Sequence, residues 1–368
     1  MPEVVNLRQV NRSYLARQML LERHDISAHE AIDRLIALQA QDVMPPYVGL
    51  WSRLSTFEAT TIETGLVDRS LVRATTLRPT VHLVTRKDLR QILPKMMPGY
   101  IRIAQSPNSL NGLFQRIPFQ DVIDWGNKLF AEGDLGAAEM RDFARRDWPN
   151  EEPQLLASAV QWSLPVVQVP PRGLWKNNSR PRWDLAEQWL GQSLDHTYEL
   201  DDLILRFIRA FGPIGTGDIQ AWSGLTGLKE VVARLRPHLR VLHDESGREL
   251  LDDPDAAWPD AATPAPVRLL GAFDNLWLAH KNRERVLDDR FRLKILNNGV
   301  GRPTLLVDGF VAGRYRVRTK KSLSTLTIEP FRKFTPAERR DVVAESEKLL
   351  EFMEPGTDHE IVVVDVLP

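Results

Sequence analysis

The chain has 368 residues, 43% hydrophobic and 26% charged, with a formal net charge of −1 and no cysteine. It is long enough for two to four cores, and it has no disulfide, cysteine-ligated zinc, iron–sulfur cluster or cysteine nucleophile. Near-neutrality neither requires nor excludes a polyanion partner, because a local basic face counts for more than the sum.

Taken in order, Leu7, Val10, Tyr14, Leu15, Met19 and Leu20 recur at helical spacing and predict a first helix ending near Glu22. Glu3 and Asn6 precede it, without the basic and apolar regions of a signal peptide. Ser27 and Glu30 form a capping-box pattern at the entrance to a second helix, Ala28 to about Gln41. Pro45 and Pro46 stop it. Gln39 and Gln41 flank one alanine at its end. If the helix persists, the two amides do not face each other. If the last turn loosens, both can converge on one small object; otherwise they only cap a helix end.

Two short helices follow, around Val48 to Leu54 and Phe57 to Thr64. The period then changes to two, and Leu71 to Thr76 and Thr80 to Thr85 read as a ribbon around Pro79. Short helices closed by a hairpin make a winged-helix pattern. Met96 and Met97, beside Pro94 and Pro98, read as a loop packed on a domain boundary. A similar order recurs in Phe119 to Phe130, the segment opened by Asp134, Pro153 to Trp162 and the strand Val166 to Val169. It recurs again in Leu200 to Phe211, Thr216 to Trp222, Leu228 to Leu235 and a broken hairpin over Leu239 to Leu251. Element order repeats here, and residue identity does not.

The stretch Pro254 to Pro266, rich in Pro, Ala and Asp, marks a boundary. Beyond it lie short strands at Val267 to Leu270, Ala312 to Thr319 and Leu323 to Pro330, a helix from Pro336 to Phe352 and a last strand from Glu360 to Val366. Glycines at bends suggest a small twisted sheet or barrel. Arg314, Arg316, Arg318 and Lys320 alternate with Tyr315, Val317 and Thr319, so the pleat puts four cations on one face. Either a phosphate backbone or acids of a neighbouring strand or the late helix must offset them. A second basic set, Lys281, Arg283, Arg285, Arg290, Arg292 and Lys294, is interspersed with acids.

Five segments, Leu38 to Asp42 (LQAQD), Arg78 to Val84 (RPTVHLV), Val167 to Trp175 (VQVPPRGLW), Leu269 to Arg283 (LLGAFDNLWLAHKNR) and Gly301 to Tyr315 (GRPTLLVDGFVAGRY), together resemble the bacterial winged-helix DNA glycosylases of the AlkZ type. The match is nearest the actinobacterial azinomycin-resistance branch, whose glutamine, apolar, glutamine signature is met by Gln39-Ala40-Gln41. The resemblance implies an α+β fold of three tandem winged-helix domains followed by a C-terminal β-barrel-like domain, here 1–115, 116–193, 194–265 and 266–368. It also implies a monofunctional enzyme that hydrolyses the N-glycosidic bond of bulky N7-alkylated purines, unhooks azinomycin-type interstrand crosslinks, and leaves an abasic site.

On that resemblance Gln39 and Gln41 are the catalytic candidates, with Gln41 positioning a water and Gln39 supporting it or the developing sugar cation. Arg78, His82, His280, Arg283, Arg314, Arg316, Arg318 and Lys320 are the candidate DNA contacts. His82 can equally satisfy a carbonyl between strands. Asp274 reads as an anchor of its loop. No cofactor and no metal are expected, since the eight histidines lack HExxH spacing. The expected partner is double-stranded DNA carrying alkylated or crosslinked purines, with no membrane involvement, met by a monomer in the bacterial cytoplasm and on the nucleoid when acting. A crosslinked purine is tied to both strands, so an open cleft is expected, with Trp51, Trp162, Trp175 and Trp277 as edge contacts. The competing reading is a non-enzymatic winged-helix transcriptional regulator, which gives no reason for the paired glutamines. A single-stranded nucleic-acid module is weakened by Tyr315, which lies on the face opposite Arg314 and Arg316.

Overall fold

The computed structural model describes residues 3–297 and 299–366. Its largest sheet has six antiparallel strands in the order Leu38–Gln39, Val81–Thr85, Leu71–Thr75, Val166–Val169, Arg182–Leu185 and Leu135–Gly136. The first expected wing and the strands of the second are therefore one sheet, joined where Arg73 and Ala74 pair with Gln168 and Val167. Period-two patterning locates strands and does not name their partners.

One face of this sheet, through Leu38, Leu71, Val81 and Leu83, packs on the helices Ala28–Leu35, Met44–Arg53 and Ala59–Val67. The other face, through Val72, Ala74, Val84 and Val167, meets the helices Arg86–Ala104 and Leu200–Phe211. The segment around Pro94 and Pro98 is thus inside a 19-residue helix, not a loop. Pro94 has no N–H to give the Arg90 carbonyl, and the backbone N–H of Asp195 takes that place at 2.9 Å.

The second helix stops at Leu35, six residues before the expected end. Ile36 turns into the left-handed region (φ 67°), and Leu38–Gln39 runs extended against Val81–Thr85. Two buried side chains from elsewhere hold the carbonyls of this segment: Asn275 Nδ2 donates to Ala37 O, and Arg73 Nη2 donates to Ala40 O at 2.7 Å. Tertiary partners override helical propensity here.

A three-stranded sheet places Glu3–Val5 parallel to Arg240–Asp244, which pairs antiparallel with Glu249–Asp252. The helix Leu7–Arg17 that follows is buried on its polar side as well: Asn11, Arg12 and Ser13 are covered together with Tyr14 and Leu15. Arg12 reaches Asp308, Arg17 holds Asp252 at 2.8 Å, and Asn11 Nδ2 donates to the carbonyls of Arg285 and Gly309. Gly309 sits at φ +82°, and a Cβ there would strike Asn11 Oδ1 and Leu15 Cδ1 at 2.6 Å. Only glycine fits this contact.

The C-terminal sheet corrects the barrel expectation. Its five strands run Arg268–Leu270, Thr304–Val307, Phe310–Lys320, Leu323–Pro330 and Asp358–Val363, and the two outer strands do not pair with each other. Closure requires that pairing. Instead the helix Pro336–Met353 covers one face with Val342, Leu349 and Leu350, and the chain returns to lay Asp358–Val363 parallel to Leu323–Pro330. The architecture is α+β with open sheets.

Arg53 and Asp274 tie this C-terminal part to the first helices. Both side chains are buried and form a bidentate pair at 2.9 and 2.7 Å. Arg53 also donates to the carbonyls of Gln18 and Gly49, and Asp274 accepts from the Leu276 backbone. Asp274 is thus the loop anchor that the sequence suggests. Removing one partner strands a buried charge, so Asp274→Ala is expected to cost about 3–5 kcal/mol in urea unfolding. A loss below about 1 kcal/mol would show the pair to be dispensable.

Candidate functional site

The strand Leu38–Gln39 is extended and Gln41 lies just beyond it in a bend, so both glutamines sit at the end of one edge strand and not on the last turn of a helix. Gln39 lies opposite His82 in the ladder, and the Ala40 N–H donates to Val81 O at 2.8 Å. The next rung is made by a side chain, since Gln41 Oε1 accepts from the Val81 N–H at 3.2 Å. Gln39 is buried at 8% exposure and its Oε1 receives Arg78 Nη2 in a long contact of 3.5 Å. Gln41 is exposed. Each amide oxygen thus takes one N–H and keeps a second lone pair.

Two arginines frame the pair. Arg172, from the loop after Val166–Val169, donates to Gln41 O at 3.4 Å and to Ser179 O at 2.9 Å. Arg78 has a left-handed backbone (φ 53°), its N–H donates to Ser223 O, and Tyr100 Oη donates to its carbonyl at 2.7 Å. Burial lowers the Arg78 pKa to about 10, and the proximity of Arg283 adds to that. It stays charged at neutral pH. Arg172 lies in a segment the sequence singles out, whereas Tyr100 sits in the stretch that reads as a loop and gives no sequence signal.

The other expected DNA contacts fall into three settings. His280 is buried, with its ring edge-on to Tyr14 at 4.8 Å and its Nδ1 3.4 Å from Asp218. Arg283 is half-buried beside Arg292, has no hydrogen-bond partner for its Nε among the described residues, and shares a hollow of about 660 Å³ with Lys281 and Arg292. On the basic strand, Glu329 of the neighbouring strand pairs with Arg314 and Arg316. Arg318 and Lys320, opposite Thr325 and Leu323, are exposed and without a protein partner among the described residues. One carboxylate thus answers two of the four cations and removes one charge from the row, so its free charge is smaller than the sequence suggests.

Against this geometry, a family model described as DNA glycosylase AlkZ-like matches residues 32–352. The chain belongs to that family. An interstrand DNA cross-link repair glycosylase of Streptomyces sahachiroi is 22% identical over 347 residues, spanning 88% of this chain and 90% of its own. The solved structure of Streptomyces sahachiroi DNA glycosylase AlkZ superposes with a TM-score of 0.80 at 19% identity, covering 98% of this chain and all of that one, and it shares the fold. Family membership gives the chain DNA-glycosylase-like activity. No helix among the described residues is long and apolar enough to cross a membrane.

In this AlkZ-like chain the histidine facing Gln39 is neutral. Burial, and then Arg78, pushes the His82 pKa down to about 3, and its Nδ1 donates to Thr80 O at 2.9 Å, which leaves Nε2 as an acceptor. Burial, and then Arg285, lowers His280 to about 4. The unfolded chain binds these protons near pH 6.5 and the native chain does not, so native stability falls as pH drops below about 6.5. Each histidine contributes ~1.4 kcal/mol per pH unit between about pH 6.5 and 5. Urea unfolding across that window should show this slope, reduced by about half in His82→Gln. A flat profile would mean that the histidines are protonated in the native chain.

Proposed function

We propose that the chain is a monofunctional DNA glycosylase that hydrolyses the N-glycosidic bond of bulky N7-alkylated purines and unhooks azinomycin-type interstrand crosslinks. The observation that carries this reading is the pair of glutamines at the end of the Leu38–Gln39 strand, Gln39 opposite a neutral histidine and held by the charged Arg78, and Gln41 held through its oxygen by the Val81 N–H. The cross-link repair activity named for the Streptomyces relative supports the substrate class.

An N7-alkylated purine carries positive charge and leaves readily, so a strong general acid is not required. Water attacks C1′ as oxocarbenium character develops, the C1′–N9 bond breaks, its electron pair neutralises the purine cation, and one proton passes to solvent. No amide takes that proton at neutral pH. Gln41 uses its free lone pair and its NH2 to orient the water, and Gln39, fixed by Arg78, stabilises the water or the sugar cation. Asp42 is exposed beside Gln41 and is assigned no role as a base. Arg318, Lys320 and Arg283 contact the phosphate backbone of double-stranded DNA, and the enzyme works as a monomer in the bacterial cytoplasm.

With duplex DNA carrying a defined N7-guanine crosslink, the parent is expected to release the base and leave an alkali-labile site. Gln41→Ala should slow this by about 100-fold or more while still binding DNA, as loss of a positioning or oxyanion-type interaction does. A parent that binds without releasing any base would favour the regulator reading. Replacing both Arg318 and Lys320 by alanine is expected to reduce the slope of log affinity against log salt by about 1.8, roughly 0.9 per lost phosphate contact. An unchanged slope would remove the strand from the interface.

A further inference from the structure

Next to Gln41, between the two halves that share the six-stranded sheet, lies a hollow of about 270 Å³ lined by Gln41, Tyr100, Gln161, Trp162, Gln168 and Trp183. Gln168 and Trp183 are register partners on adjacent strands, so their side chains share a face. Trp162 comes from the helix Pro153–Ser163 and meets Tyr100 edge-on, with ring centroids 6.5 Å apart. Two indoles and a phenol thus supply the walls.

Unsatisfied amide groups face the same space. Gln168 is buried and its Oε1 accepts from Arg73 at 3.4 Å, while its NH2 has no protein partner among the described residues. Gln41 gives one lone pair of its oxygen to the Val81 N–H, and its NH2 has no protein partner among the described residues. Among the described residues the Gln161 NH2 meets only the Met140 sulfur, at 3.9 Å. No ionisable carboxylate, ammonium or guanidinium is among the lining residues, so nothing here matches a phosphate. The volume lies below the roughly 300 Å³ at which pockets for drug-sized ligands begin. It suits one flat ring system and excludes two purines joined by a linker.

Resting on the glycosylase reading above, we infer that this hollow is a specificity pocket that receives a single flat aromatic ring system of the DNA substrate, stacked on Trp162 and Trp183 and oriented by the amides of Gln41, Gln161 and Gln168. Aromatic walls hold any base or arene by its π-face, and amide donors read the acceptors on its edge. A ring seated beside Gln41 also excludes bulk water from one side of the attacking water. The ring has two sources, the alkylated purine turned out of the stack or an aromatic group carried on its N7.

The test is single-turnover base release from two duplexes, one with N7-methylguanine and one with N7-(naphthylmethyl)guanine. Trp183→Leu, Trp183→Phe and Gln168→Leu are compared with the parent, each checked by thermal melting. A rate loss of about tenfold or more for Trp183→Leu, the scale of one lost stacking contact, is expected, with Trp183→Phe recovering most of it. Loss confined to the naphthylmethyl substrate assigns the pocket to the substituent; loss on both assigns it to the base. Should Trp183→Leu not fold, Trp162→Leu carries the same comparison. Folded variants that keep the parental rates on both substrates overturn the inference, whereas a parent that releases neither base overturns the glycosylase reading itself.

Discussion

The buried pairing of Arg53 with Asp274 is the constraint on which the rest of the structure depends. An arginine and a carboxylate taken out of water together are tolerated only when every donor and lone pair is answered. Here the answers come from Gln18, Gly49 and Leu276, that is, from the end of the first helix, from the Met44–Arg53 helix itself and from the loop that opens the C-terminal part. Asn275, the next residue, holds the Ala37 carbonyl. The same loop thus places an amide on the carbonyl at the start of the segment that leaves its helix and joins the sheet, while Arg73 holds the Ala40 carbonyl beside the glutamines.

This arrangement separates rigidity from reactivity. The strand that carries Gln39 is fixed by backbone pairing, by Arg73 and by Asn275, while Gln41, one alternation further, lies at the rim and is exposed. Three arginines show the same division: Arg73 is buried and serves the backbone, Arg78 is half-buried and reaches a side chain, and Arg318, on the C-terminal sheet, is exposed and has no partner among the described residues.

Much of the fold was legible because local chemistry and global position agree. The ribbon at 71–85, the helix Leu200–Phe211, the short helix from Thr216 and the helix from Pro336 fall where periodicity and capping residues put them. The misreadings share one cause, which is partners far away in sequence. The Ala28–Leu35 helix ends early because distant side chains take its next carbonyls, and Pro94 is accepted in a helix because Asp195 answers the freed one. The open C-terminal sheet and the merging of two expected wings depend on which strands meet, and alternation does not encode that. At the site, the sequence names Gln39, Gln41, Arg78 and His82 in two short motifs, and the Gln39–His82 rung, the Arg78–Gln39 contact and the Val81–Gln41 hydrogen bond join them. It gives no sign that His280 is buried, which follows from packing across elements, and of the ways it offers to offset the basic strand the structure uses an acid of the neighbouring strand, Glu329, for Arg314 and Arg316.

The strand Glu3–Val5 closes a sheet with residues more than two hundred positions downstream; Arg240 and Glu3 are 237 residues apart. A ribosome working at ~5–20 residues per second needs tens of seconds to supply that partner. Until then the helix Leu7–Arg17, with Arg12 and Arg17 destined for burial, has neither of the carboxylates that make its burial tolerable. The strand Glu3–Val5 and the buried arginines of the helix that follows it thus wait in water until their partners have been made.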